Sequence, residues 1–180
     1  MDNGMRRIIS LITLTLASAT SFTAQAALDQ TCLTEKYAAF VKASDSWYAS
    51  LLGKVTEQHP DLAEAGKQFL AGRTHYFERN FTAVRWYLNH EPGKLALDKP
   101  VNEWLTLDTA SADLLSTQSK EFAAQNEQVF NDRVLKPNPQ NYALRAAFAD
   151  LLTHPENVKA SLEAYNNAME KIESQVCRKG

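Results

Sequence analysis

The sequence predicts an all-α protein: an up-down antiparallel four-helix bundle with one additional short helix, its two ends joined by a disulfide. Three observations lead there. Several long segments carry an apolar period of 3.6 residues, and none of useful length alternates with period two. Helix breakers separate those segments at His59-Pro60-Asp61, Glu91-Pro92-Gly93 and Pro137-Asn138-Pro139. The two cysteines, Cys32 and Cys177, fall where an even number of antiparallel helices returns the chain to its starting end.

The chain has 180 residues, 44% of them hydrophobic. Residues 1–26 read as a secretory signal: Arg6 and Arg7, an apolar run from Ile8 to Leu16, then Ala24-Gln25-Ala26 as a cleavage site. That run is too short to cross a hydrocarbon core of about 30 Å, and nothing later is long and apolar enough to span. Residues 27–180 then form a single helical domain with a periplasmic or secreted location. In such an oxidising compartment Cys32 and Cys177 are expected to pair. With 19 Lys+Arg against 21 Asp+Glu, a nucleic-acid binder that works by overall positive field is excluded.

The first helix spans about residues 29–58, with Leu33, Tyr37, Phe40, Trp47, Leu51 and Val55 on one stripe. Pro60 stops it and suits the first turn of the second, over about 61–89, which Asp61 and Glu64 favour by sitting near its positive end. Leu62, Phe69, Tyr76, Phe77, Val84 and Leu88 form its core face. After a mixed loop, the period predicts a third helix over about 101–134, with Val101, Trp104, Leu115, Phe122, Phe130 and Val134 inward. A short helix follows over about 140–152, and Thr153-His154-Pro155-Glu156 resembles a capping box for the last, which runs to about Val176.

Polar residues inside the apolar stripes are the first functional candidates. At 100° per residue, Arg73 and Asn80 fall within about 20° of Leu62, and Asp108 and Asn126 within about 20° of Val101. Folding the second and third helices together brings Asn80 level with Asp108, so Arg73, Asn80, Asp108 and Asn126 are expected to form an internal polar layer. Such a layer either fixes helix register or lines a pocket. The second candidate is a partner-binding face made of His75, Arg79, Arg85 and Trp86, where arginines and aromatics concentrate as they do at binding hot spots. An ordinary solvated helix face has the same composition, and the acidic third helix can use part of it up.

Catalytic and cofactor signatures are missing. The chain has no Glu-x-x-His of the kind a di-iron bundle requires, no Cys-x-x-Cys-His, no Gly-x-Ser-x-Gly elbow and no phosphate loop. No metal, cofactor or catalytic residue is therefore expected. The leading expectation is an exported, non-catalytic helical protein that binds another macromolecule of the cell envelope, as an inhibitor, immunity or chaperone-like factor. A periplasmic carrier with a polar pocket inside the bundle is the alternative, and an enzyme with an unrecognised site is a third.

Overall fold

The computed structural model describes residues 29–134 and 138–178. The secretory signal expected at residues 1–26 lies outside them, as does Pro137 of the predicted helix stop. Helix α1 (Gln30–Gln58) starts where the Asp29 carboxylate accepts hydrogen bonds from the backbone N–H groups of Thr31 and Cys32, each at 3.1 Å. Those bonds satisfy two of the donors that a helix start leaves free. A 3-10 turn at Pro60–Leu62 then reverses the chain into α2 (Ala63–His90).

These two helices make an antiparallel hairpin. At one end Gln30 Nε2 donates to the Leu88 carbonyl at 2.8 Å. At the other, Gly66 is buried against Leu52, whose Cδ1 occupies the place a Cβ on residue 66 would take. A side chain there would have to displace the Leu52 side chain from the place it packs.

The single third helix expected over residues 101–134 is not formed. Residues 95–108 are instead an irregular plug containing a 3-10 turn at Val101–Glu103, with Leu95, Val101 and Trp104 buried. The Trp104 indole donates to the Lys99 carbonyl at 2.9 Å and stacks on Tyr37 at 6.0 Å. Helix α3 (Thr109–Gln118) begins later, because Asp108 caps it by accepting from the Ser111 N–H at 2.7 Å. At Ser119 the backbone turns extended, with φ −132° and ψ 110°. Its N–H closes α3 on the Leu115 carbonyl, while its hydroxyl accepts from the Phe122 N–H and opens α4 (Lys120–Val134). The break keeps both Leu115 and Phe122 in the core and leaves Phe130 and Val134, expected inward, exposed.

Helices α5 (Asn141–Thr153) and α6 (Pro155–Ser174) complete the described chain. Helix α6 runs antiparallel to α1, with Ser50 hydrogen-bonded to Ser161 at 2.6 Å near one end. At the other, the buried Lys36 ammonium donates to the carbonyls of Glu173 and Gln175, both at 3.2 Å. A cation at the negative end of a helix is favourable, and here it also satisfies carbonyls that lack intrahelical partners. Glu173 ties in the plug as well, since its carboxylate accepts from the Val101 N–H at 2.8 Å.

Cys32 and Cys177 form the expected disulfide at this junction, with Cα atoms 5.4 Å apart. Helix α4 packs on α2 and α6 packs on α1, with no extensive contact between α4 and α6. One core lies around Tyr37, Phe77, Leu88, Trp104 and Phe122; a second, where α5 covers the hairpin turn, gathers Leu52, Val55, Leu62, Leu144 and Leu151. Among the described residues no helix is long and apolar enough to cross a membrane.

Two expected outcomes follow from this packing. Gly66→Ala should lower unfolding free energy in urea by about 1–3 kcal/mol through overpacking, whereas Gly53→Ala, with nothing within 4 Å of the new carbon, should raise it by about 0.5–1 kcal/mol. Replacing both cysteines by serine should cost about 2–5 kcal/mol in the same measurement, because the bridge closes a separation of 145 residues.

Candidate functional site

Helix α2 is sandwiched between two neighbours, and this decides where the predicted polar residues go. One face meets α1 and a second meets α4. His75, Arg79, Thr82 and Trp86 follow one another at spacings of four, three and four, so they share a stripe. The four expected partner-binding residues belong to this stripe or border it, and α4 engages the polar groups of His75, Arg79 and Arg85. His75 Nδ1 lies 2.9 Å from an Asp132 carboxylate oxygen, and Arg85 forms an ion pair with Glu121. Trp86 is half-buried and stacks on His90 with ring centres 4.4 Å apart.

Arg79, expected near solvent, is buried at 8% exposure. Its guanidinium donates to the Asn80 amide oxygen at 2.9 Å and to that of Asn126, on α4, at 3.4 Å, and it stands over the Tyr76 ring at 5.0 Å. No carboxylate pairs with it among the described residues. Burial pulls its pKa below the ordinary arginine value, and Arg133 adds to the effect. One residue before Asn126, Gln125 keeps a buried Oε1 that no hydrogen bond satisfies.

Of the expected internal layer, Asn80 and Asn126 thus meet through Arg79, and the other two members lie elsewhere. Arg73 is half-buried and stacks on Tyr48 at 4.7 Å and Phe69 at 5.5 Å, a cation–π arrangement at the edge of the α1–α2 seam. Asp108 is exposed and serves only as the α3 cap. The Ser111 backbone N–H holds its carboxyl below the usual aspartate value. The polar layer therefore joins α2 to α4.

The open surface is on the other side of the hairpin. Between α1 and α6 runs a groove of about 800 Å³. Its α1 wall presents Ala39, Ala43, Ser46 and Ser50, and its α6 wall Ser161, Ala164 and Ala168. Spacings of four, three and four on one helix and three and four on the other are those of seam positions in helix packing. Such small side chains leave the two backbones accessible to a third element. Trp47 and Tyr165 also line it, their rings 5.7 Å apart. Both charged residues lining the groove are lysines, Lys42 and Lys171.

Sequence reasoning missed this groove. Its signal was present as the run of Ala and Ser at seam spacing, but alanine and serine contribute little to an apolar stripe and so do not stand out. Among the described residues no three His, Cys, Asp or Glu side chains gather as a metal site would require. No protein-family model matches the chain, and neither the curated proteins nor the solved structures give a match.

The capping role of Asp108 can be checked by pH. A depressed carboxyl pKa gives stability that is present above the unfolded value of 3.8 and lost as pH falls through the lower, folded value. Asp108→Ala should therefore lower the melting temperature at neutral pH, and the gap from the parent should narrow in acid. A gap that stays constant down to strongly acidic pH would deny the carboxylate this role.

Proposed function

We propose that this is an exported, non-catalytic binding protein of the cell envelope, and that it recognises a helical segment of another protein in the groove between α1 and α6. The observation that carries the reading is the paired set of small residues at seam spacing on two antiparallel helices. They offer two thirds of a helix-packing surface with its last member absent. An amphipathic helix laying its apolar face into such a groove is a recurring mode of peptide recognition. Residues 161–174 of α6 span about 20 Å at 1.5 Å per residue, which fits a partner helix of about four turns. The expected four-helix arrangement would then be approached by adding the partner's helix to the chain's own.

Charge supports the same occupant. Lys42 and Lys171 are the charged residues of the groove lining, so the partner should carry Asp or Glu beside its apolar stripe. Rim charges of this kind select partners and speed encounter more than they add affinity. Inhibitor, immunity and chaperone-like roles all use such capture.

The test is selection from a displayed library of helical peptides against the oxidised mature protein. Enriched peptides should share an apolar stripe with flanking acidic residues. They should lose at least about tenfold in affinity for Ala43→Trp, which fills the groove at its centre, since a lost central contact is commonly worth more than 1.4 kcal/mol. Lys42→Glu with Lys171→Glu should weaken them and select basic peptides instead. Enrichment no better than that against Ala43→Trp would overturn the proposal. So would a small molecule that remains bound to the native protein in its mass spectrum and is lost from Ala43→Trp, which would make the groove a carrier site.

A further inference from the structure

A second, smaller hollow of about 250 Å³ opens beside the groove. Trp47 and Tyr165 line both, so the two adjoin at these rings. The hollow is otherwise bounded by Phe40, Tyr48 and Phe77, and by one polar side chain besides Ser44, Asn102 of the plug. Its volume is below the roughly 300–1,000 Å³ of pockets that enclose whole ligands and suits one aromatic ring.

Ser44 lies in the middle of α1, is only 4% exposed and lines this hollow. Hydroxyls within helices of this protein commonly bond back to the preceding turn: Thr34 to the Gln30 carbonyl, Thr56 to that of Leu52 and Ser116 to that of Ala112. Ser44 makes no such bond, and it is not one of the fully buried polar atoms left without a partner, of which Gln125 Oε1 is the only one among the described residues. Its side chain instead borders the hollow. A hydroxyl that faces an aromatic-walled space has one obvious use, which is to meet a polar atom on whatever fills that space.

We infer that this hollow is the anchor site of the groove, and that it receives from the docked helix a side chain with an aromatic body and one O–H or N–H group, tyrosine or tryptophan, which donates to the Ser44 hydroxyl. The inference rests on the groove being a helix-docking site and adds the residue that fixes register and specificity there. Aromatic side chains with a polar tip are the residues most often found as interface anchors, and they lose few rotamers on burial. A site built to hydrogen-bond such a group also rejects the analogue that lacks it, since its own polar atom is then left unpaired.

The experiment compares p-cresol, the side chain of tyrosine, with toluene, which has the same ring without the hydroxyl. Both are titrated into the oxidised protein and followed by backbone amide shifts around Ser44. The parent should bind p-cresol at least about fivefold more tightly than toluene. Ser44→Ala, which should fold at least as stably because alanine is the better helix former, should bind the two equally. In the peptide selection described above, Tyr or Trp should recur at one seam position against the parent and lose that preference against Ser44→Ala. Equal binding of the two probes by the parent, survival of the preference in Ser44→Ala, or binding of neither probe would each overturn the anchor site. Peptides that enrich without an aromatic anchor would overturn it while leaving the groove intact. Probe binding with the predicted Ser44 dependence, but without any helical peptide, would instead show a free aromatic ligand and overturn the docked source.

Discussion

The junction where α6 ends against α1 is the constraint on which the rest of the structure depends. A disulfide from Cys32 to Cys177 and a buried ammonium, Lys36, converge there on the last carbonyls of α6. The two attachments complement each other. The covalent bond limits how far the ends can separate, while Lys36 fixes the angle at which the helix arrives by donating to its terminal carbonyls and pairing with the Glu173 carboxylate. The need for both is plain from what lies between α1 and α6. Ala and Ser side chains bury little apolar surface, so this seam would contribute little to holding the helices together by the hydrophobic effect. The pair is held instead at its two extremities: by the junction at one end, and at the other by Val158 packing into the core under α5. An open groove is compatible with a stable fold for that reason.

The opposite seam is built on another principle. Between α2 and α4 lie His75 with Asp132, Arg79 with Asn126, and Arg85 with Glu121, alternating with Thr82 and the buried Phe122 and Val129. Polar pairs at such a seam contribute modestly to net stability, but they penalise other registers, because a shift of one turn takes the Asn126 amide away from the buried guanidinium and separates the two ion pairs. The hairpin is therefore flanked by one seam that specifies its neighbour through polar matching and one lined by small side chains.

Much of this was legible in the residues. Helices α1, α2, α5 and α6 follow their apolar period, and Pro60, Pro92 and Pro155 mark the breaks because proline cannot continue a helix interior. The disulfide between the two cysteines expected to pair is present. What could not be read was tertiary. Trp104 and Val101 fit a helical stripe by spacing, yet their burial is achieved by an irregular plug whose hydrogen bonds run to Lys99 and Glu173, one of them 72 residues away. Ser119 falls inside the predicted apolar stripe, and its spacing does not announce the backbone turn and the hydroxyl cap that break the helix there. A single apolar face on α2 places Arg79 toward solvent. A helix with neighbours on two sides has two buried faces, and the second is hard to recognise when it is polar.

The junction has a mechanical meaning as well. The Asp29 N–H reaches the Cys177 carbonyl at 3.4 Å, and the disulfide is only a few atoms away. A pull applied to the chain ahead of residue 29 and behind residue 178 is therefore carried across the S–S bond, and the helices enclosed between the cysteines bear none of it. The folded body behaves as a closed loop hung from a single knot. Traction that would peel apart a helical protein of this architecture leaves the groove undisturbed for as long as the knot stays oxidised.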